Sequence, residues 1–342
     1  FWIIHRGLPP AALALVVFAY LLGISKKRWQ GTLGVAEVAA VAFLGLSCLN
    51  VVWFHTDPLA NLYLVYDQLF VPLCLYLLVR LLPLAEQDLR LLVPVGLATV
   101  LAQSVVGILA WFVPRMLPAA WLSYQGARTT GTLGYPHAYT STLVFFMFLL
   151  FHDAMARRPA LIRFASLMTF GLGTFSVFMS FARGSWLGAL LAGMGLLFLY
   201  PRAALRILFV LLILAAILGG VVLSSEMAFA RQRLNAETPA RDRWVVWDAG
   251  LRMVRDNPLF GVGFGNYRRY ADQFQRRVLD HLVTRTLASH NSYIGLAAEL
   301  GLPAFLLFAL PVLWWLRRTL EVWPRLPRMG FMSRALLAIL WL

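Results

Sequence analysis

The chain has 342 residues, of which 61% are hydrophobic and 13% charged, and it carries a net charge of +15. Soluble domains carry roughly 25% charged residues, and here runs of about 20 apolar residues follow one another, so a soluble enzyme is excluded and a polytopic membrane protein is predicted. The runs are continuous and do not alternate, which excludes a barrel and predicts an all-α bundle.

The basic excess predicts anionic partners such as lipid headgroups or phosphates. Nucleic acid is not expected, because the basic residues are spread over the connections between apolar runs. Lys26 and Lys27 are the only lysines, so the charge is almost entirely arginine. Cys48 and Cys74 both fall inside apolar runs, and neither a disulfide nor a metal site is read from them. No cleavable signal peptide is evident. The chain starts at Phe1 and stops at Leu342 inside an apolar run, so it reads as part of a longer protein.

In chain order, ten spans are predicted: 8–24, 33–54, 62–82, 91–113, 138–155, 162–181, 185–200, 205–223, 291–316 and a clipped one from 333. The first connection holds Lys26, Lys27 and Arg28, and the third holds Arg80 and Arg90. Arg157, Arg158 and Arg163 follow in the fifth, Arg202 and Arg206 in the seventh, and Arg317, Arg318, Arg325 and Arg328 in the ninth. The second, "HTDPLAN", has no Lys or Arg. The positive-inside rule therefore makes the odd connections cytoplasmic and the even ones external. Three segments result: transmembrane helices over 1–223, an external loop over 224–290, and C-terminal transmembrane helices over 291–342.

The external side carries the polar features. In "GARTTGTLGYPHAYTSTL", Arg128 precedes a Gly/Thr-rich turn leading into the fifth span. That turn is either an anion site at a helix N-terminus or an ordinary capped turn. His137 reads as a polar lining residue or as a base, with only Arg128 as a basic neighbour. Arg183 in "SFARGSW" sits in the short turn between two spans. In the long loop, Trp244, Trp247, Leu251 and Val254 recur at helical spacing, with Arg243, Asp248, Arg252 and Arg255 among them, which predicts an amphipathic helix on the outer surface. Pro258 ends it. "LFGVGFGNY" follows, with Asn at 266 where a dinucleotide fingerprint needs Gly, and with a helix rather than a strand before it. Its Gly261, Gly263 and Gly265 are expected to pack backbone tightly against the membrane helices.

His290 lies where the loop meets the ninth span, in "SHNSY", with Asn291 and Ser292 able to cap the helix that follows. It is either the plain end of a helix or a general base acting on a hydroxyl nucleophile. Arginines suit pyrophosphate, since the guanidinium fork binds it bidentately and stays charged. Converging arginines also stabilise charge on a departing pyrophosphate. The expected arrangement is a cavity open to the outer leaflet in which guanidiniums meet one imidazole. The external carboxylates Glu226, Glu237, Asp242, Asp248, Asp256, Asp272 and Asp280 form no DxD motif, and His281 and His290 lack zinc spacing, so no metal and no cofactor is expected. Asp242, Asp248 and Asp256 are expected to pair with neighbouring arginines.

Four stretches, "RTTGTLGYPHAY", "SFARGSWLG", "RDRWVVWDAGLRMVRDNPLFGVGFGNY" and "SHNSYIGLAAELGLPAF", in this order and with the long external loop, resemble the superfamily of O-antigen ligases and O-antigen polymerases. The resemblance covers roughly residues 128–305. It implies a GT-C-type multi-helix fold in the bacterial inner membrane, with the active site facing the periplasm. The implied donor is a glycan on undecaprenyl pyrophosphate. It also implies that Arg183 and Arg243 bind the pyrophosphate, with Arg241 as the alternative to Arg243, and that His290 activates the acceptor or assists the transfer. Trp247 would then anchor the loop helix, while Arg128, Tyr135, His137 and Asn291 would be lesser pocket residues. The single large loop late in the chain fits the ligase best, with the lipid A–core oligosaccharide as acceptor. A polymerase and a protein oligosaccharyltransferase are the related alternatives. A transporter would instead place ionisable groups at mid-membrane, where the candidates are few: Glu37, Asp67, Asp153 and Glu299.

Overall fold

The computed structural model describes residues 34–54, 56–81, 85–122, 128–156, 159–200, 238–276, 288–330 and 333. Ten helices are used below. They are α1 (Val35–Phe54), α2 (Pro58–Val65), α3 (Val71–Leu81), α4 (Leu92–Phe112), α5 (Pro136–Ala154), α6 (Ala160–Met179), α7 (Arg183–Leu199), α8 (Thr238–Asp256), α9 (Tyr267–Phe274) and α10 (Ser292–Val322). Among the described residues there is no strand, and the protein is an all-α polytopic membrane protein. Five stretches among the described residues are long and apolar enough to cross a bilayer: Val35–Phe54, Pro58–Leu77, Gln87–Phe112, Ala160–Met179 and Ser292–Arg325. The predicted spans 8–24 and 205–223, the clipped run beyond Ser333, Glu226, Glu237, Asp280 and His281 lie outside the described residues.

The chain forms two compact units. One comprises 1–84 with 237–323, the other 85–236 with 324–342.

In the first unit α1 packs along α10, and Phe43 and Val51 are buried with Leu300 and Ala304. Asp57 and Pro58 start α2 as their chemistry predicts: the Asp57 carboxylate accepts the Ala60 N–H at 3.3 Å, and Pro58 occupies the first turn. A π-turn at Tyr66–Phe70 joins α2 to α3 without a break. At the far end of α1, Glu37 is almost fully buried yet satisfied. It accepts the Tyr76 hydroxyl at 2.7 Å and the Gly34 N–H at 2.7 Å, and it pairs with Arg80 at 3.3 Å. A buried carboxylate needs this degree of pairing. Glu37 is thus a link between α1 and α3.

The break in α10 organises this unit. Gly301 has φ 80 and ψ 174, outside helical geometry, and Pro303 has no N–H to donate. The Leu302 N–H, which in an unbroken helix would reach Ala298, instead bonds Pro258 O at 2.8 Å. The carbonyls of Ala298 and Glu299 are thereby released. They accept Val262 N–H and Gly263 N–H, each at 2.9 Å. The glycine-rich stretch after α8 is therefore a strap stitched into the opened turn of α10. Gly261, at φ +63, has no room for a side chain: a Cβ there would stand 2.4 Å from the Glu299 carbonyl carbon. The tight backbone packing expected of these glycines is what the strap shows.

In the second unit α5 is the central helix, flanked by α4, α6 and α7. Leu143, Leu149 and Leu150 are fully buried, and Phe151 nearly so. Protein on several sides lets α5 keep polar groups that a lipid-facing helix would not, His152 among them, whose Nδ1 lies 2.8 Å from the Tyr200 hydroxyl.

Candidate functional site

Arg183 is the first residue of α7 and is exposed. The chain leaves α6 and enters α7 within three residues, Ser180, Phe181 and Ala182. Phe181 carries that turn at φ 50, which a bulky L-residue rarely adopts. Its cost is met by local bonding. The Ser180 hydroxyl donates to Val177 O at 2.6 Å, and the Trp186 indole N–H donates to the same carbonyl at 2.9 Å. The Trp186 ring stacks on Phe178 at 5.2 Å. The spacing in "FARGSW" thus has a physical reason: Trp186 reaches back to fasten the turn on which Arg183 sits. A Cβ at Gly184 would meet nothing within 4 Å, so the start of α7 is open beside Arg183. An open helix N-terminus with a guanidinium on its first residue favours an anion.

Arg128 is 5% exposed and lies beneath this turn. Its Nε donates to Ser180 O at 2.8 Å, the Thr129 hydroxyl donates to Ser176 O at 3.1 Å, and Thr129 N–H reaches Met179 O at 3.4 Å. The "RTTG" stretch is thereby sewn to the end of α6. Tyr135, half-exposed, precedes α5, and its ring lies 5.6 Å from that of His137. The Thr140 hydroxyl, one turn into α5, donates to the Ser185 hydroxyl at 2.6 Å. The starts of α5 and α7 are therefore bonded together, and Arg183, Tyr135 and His137 belong to that end of the second unit.

In the first unit, Arg241 and Arg243 are exposed on the first turns of α8. Two residues apart on a helix, they project about 200° apart around it. The buried stripe of α8 is Val245, Val246, Ala249, Gly250 and Met253. Trp244 and Leu251 lie off this stripe, at 55% and 58% exposure. The reason is close approach. Gly250 lies so near α10 that a Cβ on it would stand 2.5 Å from Ile294 Cγ2, a gap no tryptophan face could share. Asp248 pairs with Arg252 one turn on, at 2.8 Å, as expected of it.

α8 and α10 run side by side in the same direction. Gly250 lies against Ile294, and Pro258 is bonded to Leu302, so the two contacts are equally spaced along both segments. Ser292, the first residue of α10, comes level with Asp248, with Arg243 about 7.5 Å further along the axis. Arg243 and His290 therefore occupy the same end of the helix pair. Asn291 is the N-cap: its side-chain oxygen accepts the N–H groups of Tyr293 at 3.0 Å and Ile294 at 3.2 Å. His290, exposed, stands just before the cap with φ 49.

Tyr267 holds α9 in place. Its hydroxyl donates to Val246 O, and its N–H donates to Glu299 Oε1 at 2.8 Å. Burial, reinforced by the Glu299 carboxylate, pushes the Tyr267 hydroxyl well above the usual tyrosine range. Of the carboxylates a transporter would need, Glu37 and Glu299 are both engaged in joining elements.

Among the described residues, two non-glycine residues have positive φ, Phe181 and His290. They fall in two different motifs singled out in the sequence. Residues held in sparsely populated backbone regions cluster at functional sites. Composition gave no sign of this strain at Phe181.

Residues 168–309 match the family model Wzy_C, described as O-antigen ligase. Arg183, Arg241, Arg243, His290 and Asn291 lie inside the matched stretch, and Arg128, Tyr135 and His137 lie before it. Among curated proteins, none matches the chain.

Proposed function

We propose that this protein is an O-antigen ligase that transfers a polysaccharide from undecaprenyl pyrophosphate to a hydroxyl of the lipid A–core oligosaccharide, a reading supported by the match of residues 168–309 to the O-antigen ligase family model. Transfer takes place at the periplasmic face of the inner membrane. The observation that carries this reading is the strained backbone at Phe181, two residues before exposed Arg183, and at exposed His290 itself, both inside the matched stretch.

Arg183 and Arg243 hold the diphosphate in this reading, with Arg241 as the alternative to Arg243. The helix N-terminus behind Arg183 adds its partial positive charge. The acceptor oxygen forms a bond to the anomeric carbon, and the bond from that carbon to the pyrophosphate oxygen breaks. The electron pair leaves on undecaprenyl pyrophosphate, where guanidinium charge stabilises it. The hydroxyl proton passes to His290, a step typically contributing about 10²–10⁴ in rate. Arg128 positions the turn that carries Arg183. The acid–base group and the cations are all supplied by the chain, so no metal and no cofactor is required.

The test uses purified protein, a defined glycan on undecaprenyl pyrophosphate, EDTA, and three acceptors: lipid A–core, a second lipid-linked glycan, and a Ser/Thr peptide. Extension of lipid A–core alone, lost in each of Arg183→Ala, Arg243→Ala and His290→Ala, is the expected result. Extension of the second lipid-linked glycan would make the protein a polymerase, and extension of the peptide a protein glycosyltransferase. Full transfer by all three variants would overturn the assigned roles.

A further inference from the structure

The strap after α8 places two large apolar side chains, Leu259 and Phe260, at 62% and 58% exposure. Their depth can be read from α1. With 20 residues, α1 is about 30 Å long, the thickness of a bilayer's hydrocarbon core. Asn50 lies four residues inside its Phe54 end, or about 6 Å. Both polar atoms of the Asn50 amide are bonded to the strap: Nδ2 donates to Phe260 O at 2.8 Å, and Oδ1 accepts Phe264 N–H at 2.8 Å. The strap is therefore fixed along the last turn of α1, from the level of Asn50 to that of Phe54, whose Cγ a Cβ at Gly263 would meet at 2.9 Å.

Its backbone is bonded as that depth demands. Non-helical chain survives at membrane depth only where its polar groups are satisfied within the protein. Four successive N–H groups, in the half of the strap after Phe260, are paired: Gly261 to Asn257 O, Val262 to Ala298 O, Gly263 to Glu299 O and Phe264 to Asn50 Oδ1. An ordinary aqueous surface loop leaves such groups to water.

The exposed side chains continue the apolar surface of α1. Phe260 stacks on Trp53, with ring centroids 6.4 Å apart, and Trp53, Val52 and Leu49 are themselves 75%, 54% and 68% exposed. Tryptophan at the end of a spanning helix marks the interface.

We infer that the strap Pro258–Phe264 is a re-entrant segment whose Leu259 and Phe260 side chains sit among the acyl chains of the bilayer at the end of α1 that bears Trp53. The occupant of this surface is membrane lipid. Acyl contact there fixes the height of the α8–α10 pair, and with it that of Arg243 and His290, above the membrane. The inference rests on α1 spanning the bilayer and is independent of the reaction assigned above.

Single cysteines at 259 and at 260, in a chain with Cys48 and Cys74 replaced by alanine, would carry a nitroxide in phosphatidylcholine/phosphatidylglycerol vesicles. A third label at Arg268, exposed on α9, serves as the aqueous reference. Collision rates with oxygen and with a water-soluble nickel chelate give depth. The expected result is a chelate accessibility at least tenfold lower at 259 or 260 than at 268, with higher oxygen accessibility. Chelate accessibility at both positions equal to that at 268 would overturn the inference. Because the two positions are labelled separately, a variant that fails to fold at one leaves the other to decide.

Discussion

Gly261→Ala tests the stitching of the strap into α10. The new Cβ would stand 2.4 Å from the Glu299 carbonyl carbon and 2.5 Å from Ala298 O, and both are backbone atoms that cannot swing aside. The residue would also hold φ +63, which costs an L-residue about 1–2 kcal/mol. The strap must then lift, breaking the bonds of Val262 N–H to Ala298 O and Gly263 N–H to Glu299 O. Each buried polar group left unpaired costs about 1–3 kcal/mol. Together these come to about 3–8 kcal/mol, a fall in unfolding midpoint of roughly 5–10 °C. The assay is thermal unfolding of the detergent-solubilised protein followed by intrinsic tryptophan fluorescence. Gly188→Ala is the control, since its Cβ would meet nothing within 4 Å and it lies inside α7. That control should be neutral or stabilising by up to about 1 kcal/mol. A Gly261→Ala midpoint indistinguishable from that of the parent would refute the strap geometry, and with it the reason given for the break in α10.

Asn291→Ala should cost about 1 kcal/mol by removing the cap, seen as faster amide exchange at Tyr293 and Ile294, while Asn291→Asp should keep the protection. Arg128→Met should destabilise by about 1–3 kcal/mol, because the buried Ser180 carbonyl loses its donor; Arg128→Lys should not restore the midpoint, having no Nε at that reach. For Tyr267, whose pKa is raised in the fold, the unfolded chain ionises first as pH rises past about 10. Its contribution is therefore complete below about pH 10 and declines above it. Tyr267→Phe should lower stability at neutral pH by about 1 kcal/mol and flatten the alkaline decline measured by denaturation across a pH series.

Seven predicted spans fall on described helices, 62–82 on α2 and α3 together. The predicted 33–54, 91–113 and 162–181 become Val35–Phe54, Leu92–Phe112 and Ala160–Met179. Such runs are legible because a bilayer imposes one length and one polarity on whatever crosses it. The cap at Asn291 was legible for a related reason: it acts on backbone groups within three residues of itself. The orientation of α8 was not legible. Its heptad-like run offered two apolar faces, and periodicity alone could not say which meets protein. Gly250 decided it, because close approach to Ile294 needs the side of the helix without bulk. Trp244 and Leu251 are left on the outer side.

The strained positions were beyond sequence reading for a deeper reason. Phe181 is an apolar residue at the end of an apolar span, and its residue type argues against positive φ. What holds it there lies outside the turn's own residues: Arg128, from far along the chain, donates to Ser180 O, and Trp186 closes on Val177 O from the start of the next helix. His290 is the opposite case, since histidine tolerates the left-handed region better than most residues. Its neighbour Asn291 was already marked as a cap, so a sharp bend before α10 was foreseeable even though its value was not. Local chemistry thus announces the bend at His290, whereas long-range packing imposes the one at Phe181. It follows that the turn bearing Arg183 depends on residues before the matched family stretch, Arg128 and Thr129 among them, and that a fragment restricted to residues 168–309 would lose its geometry.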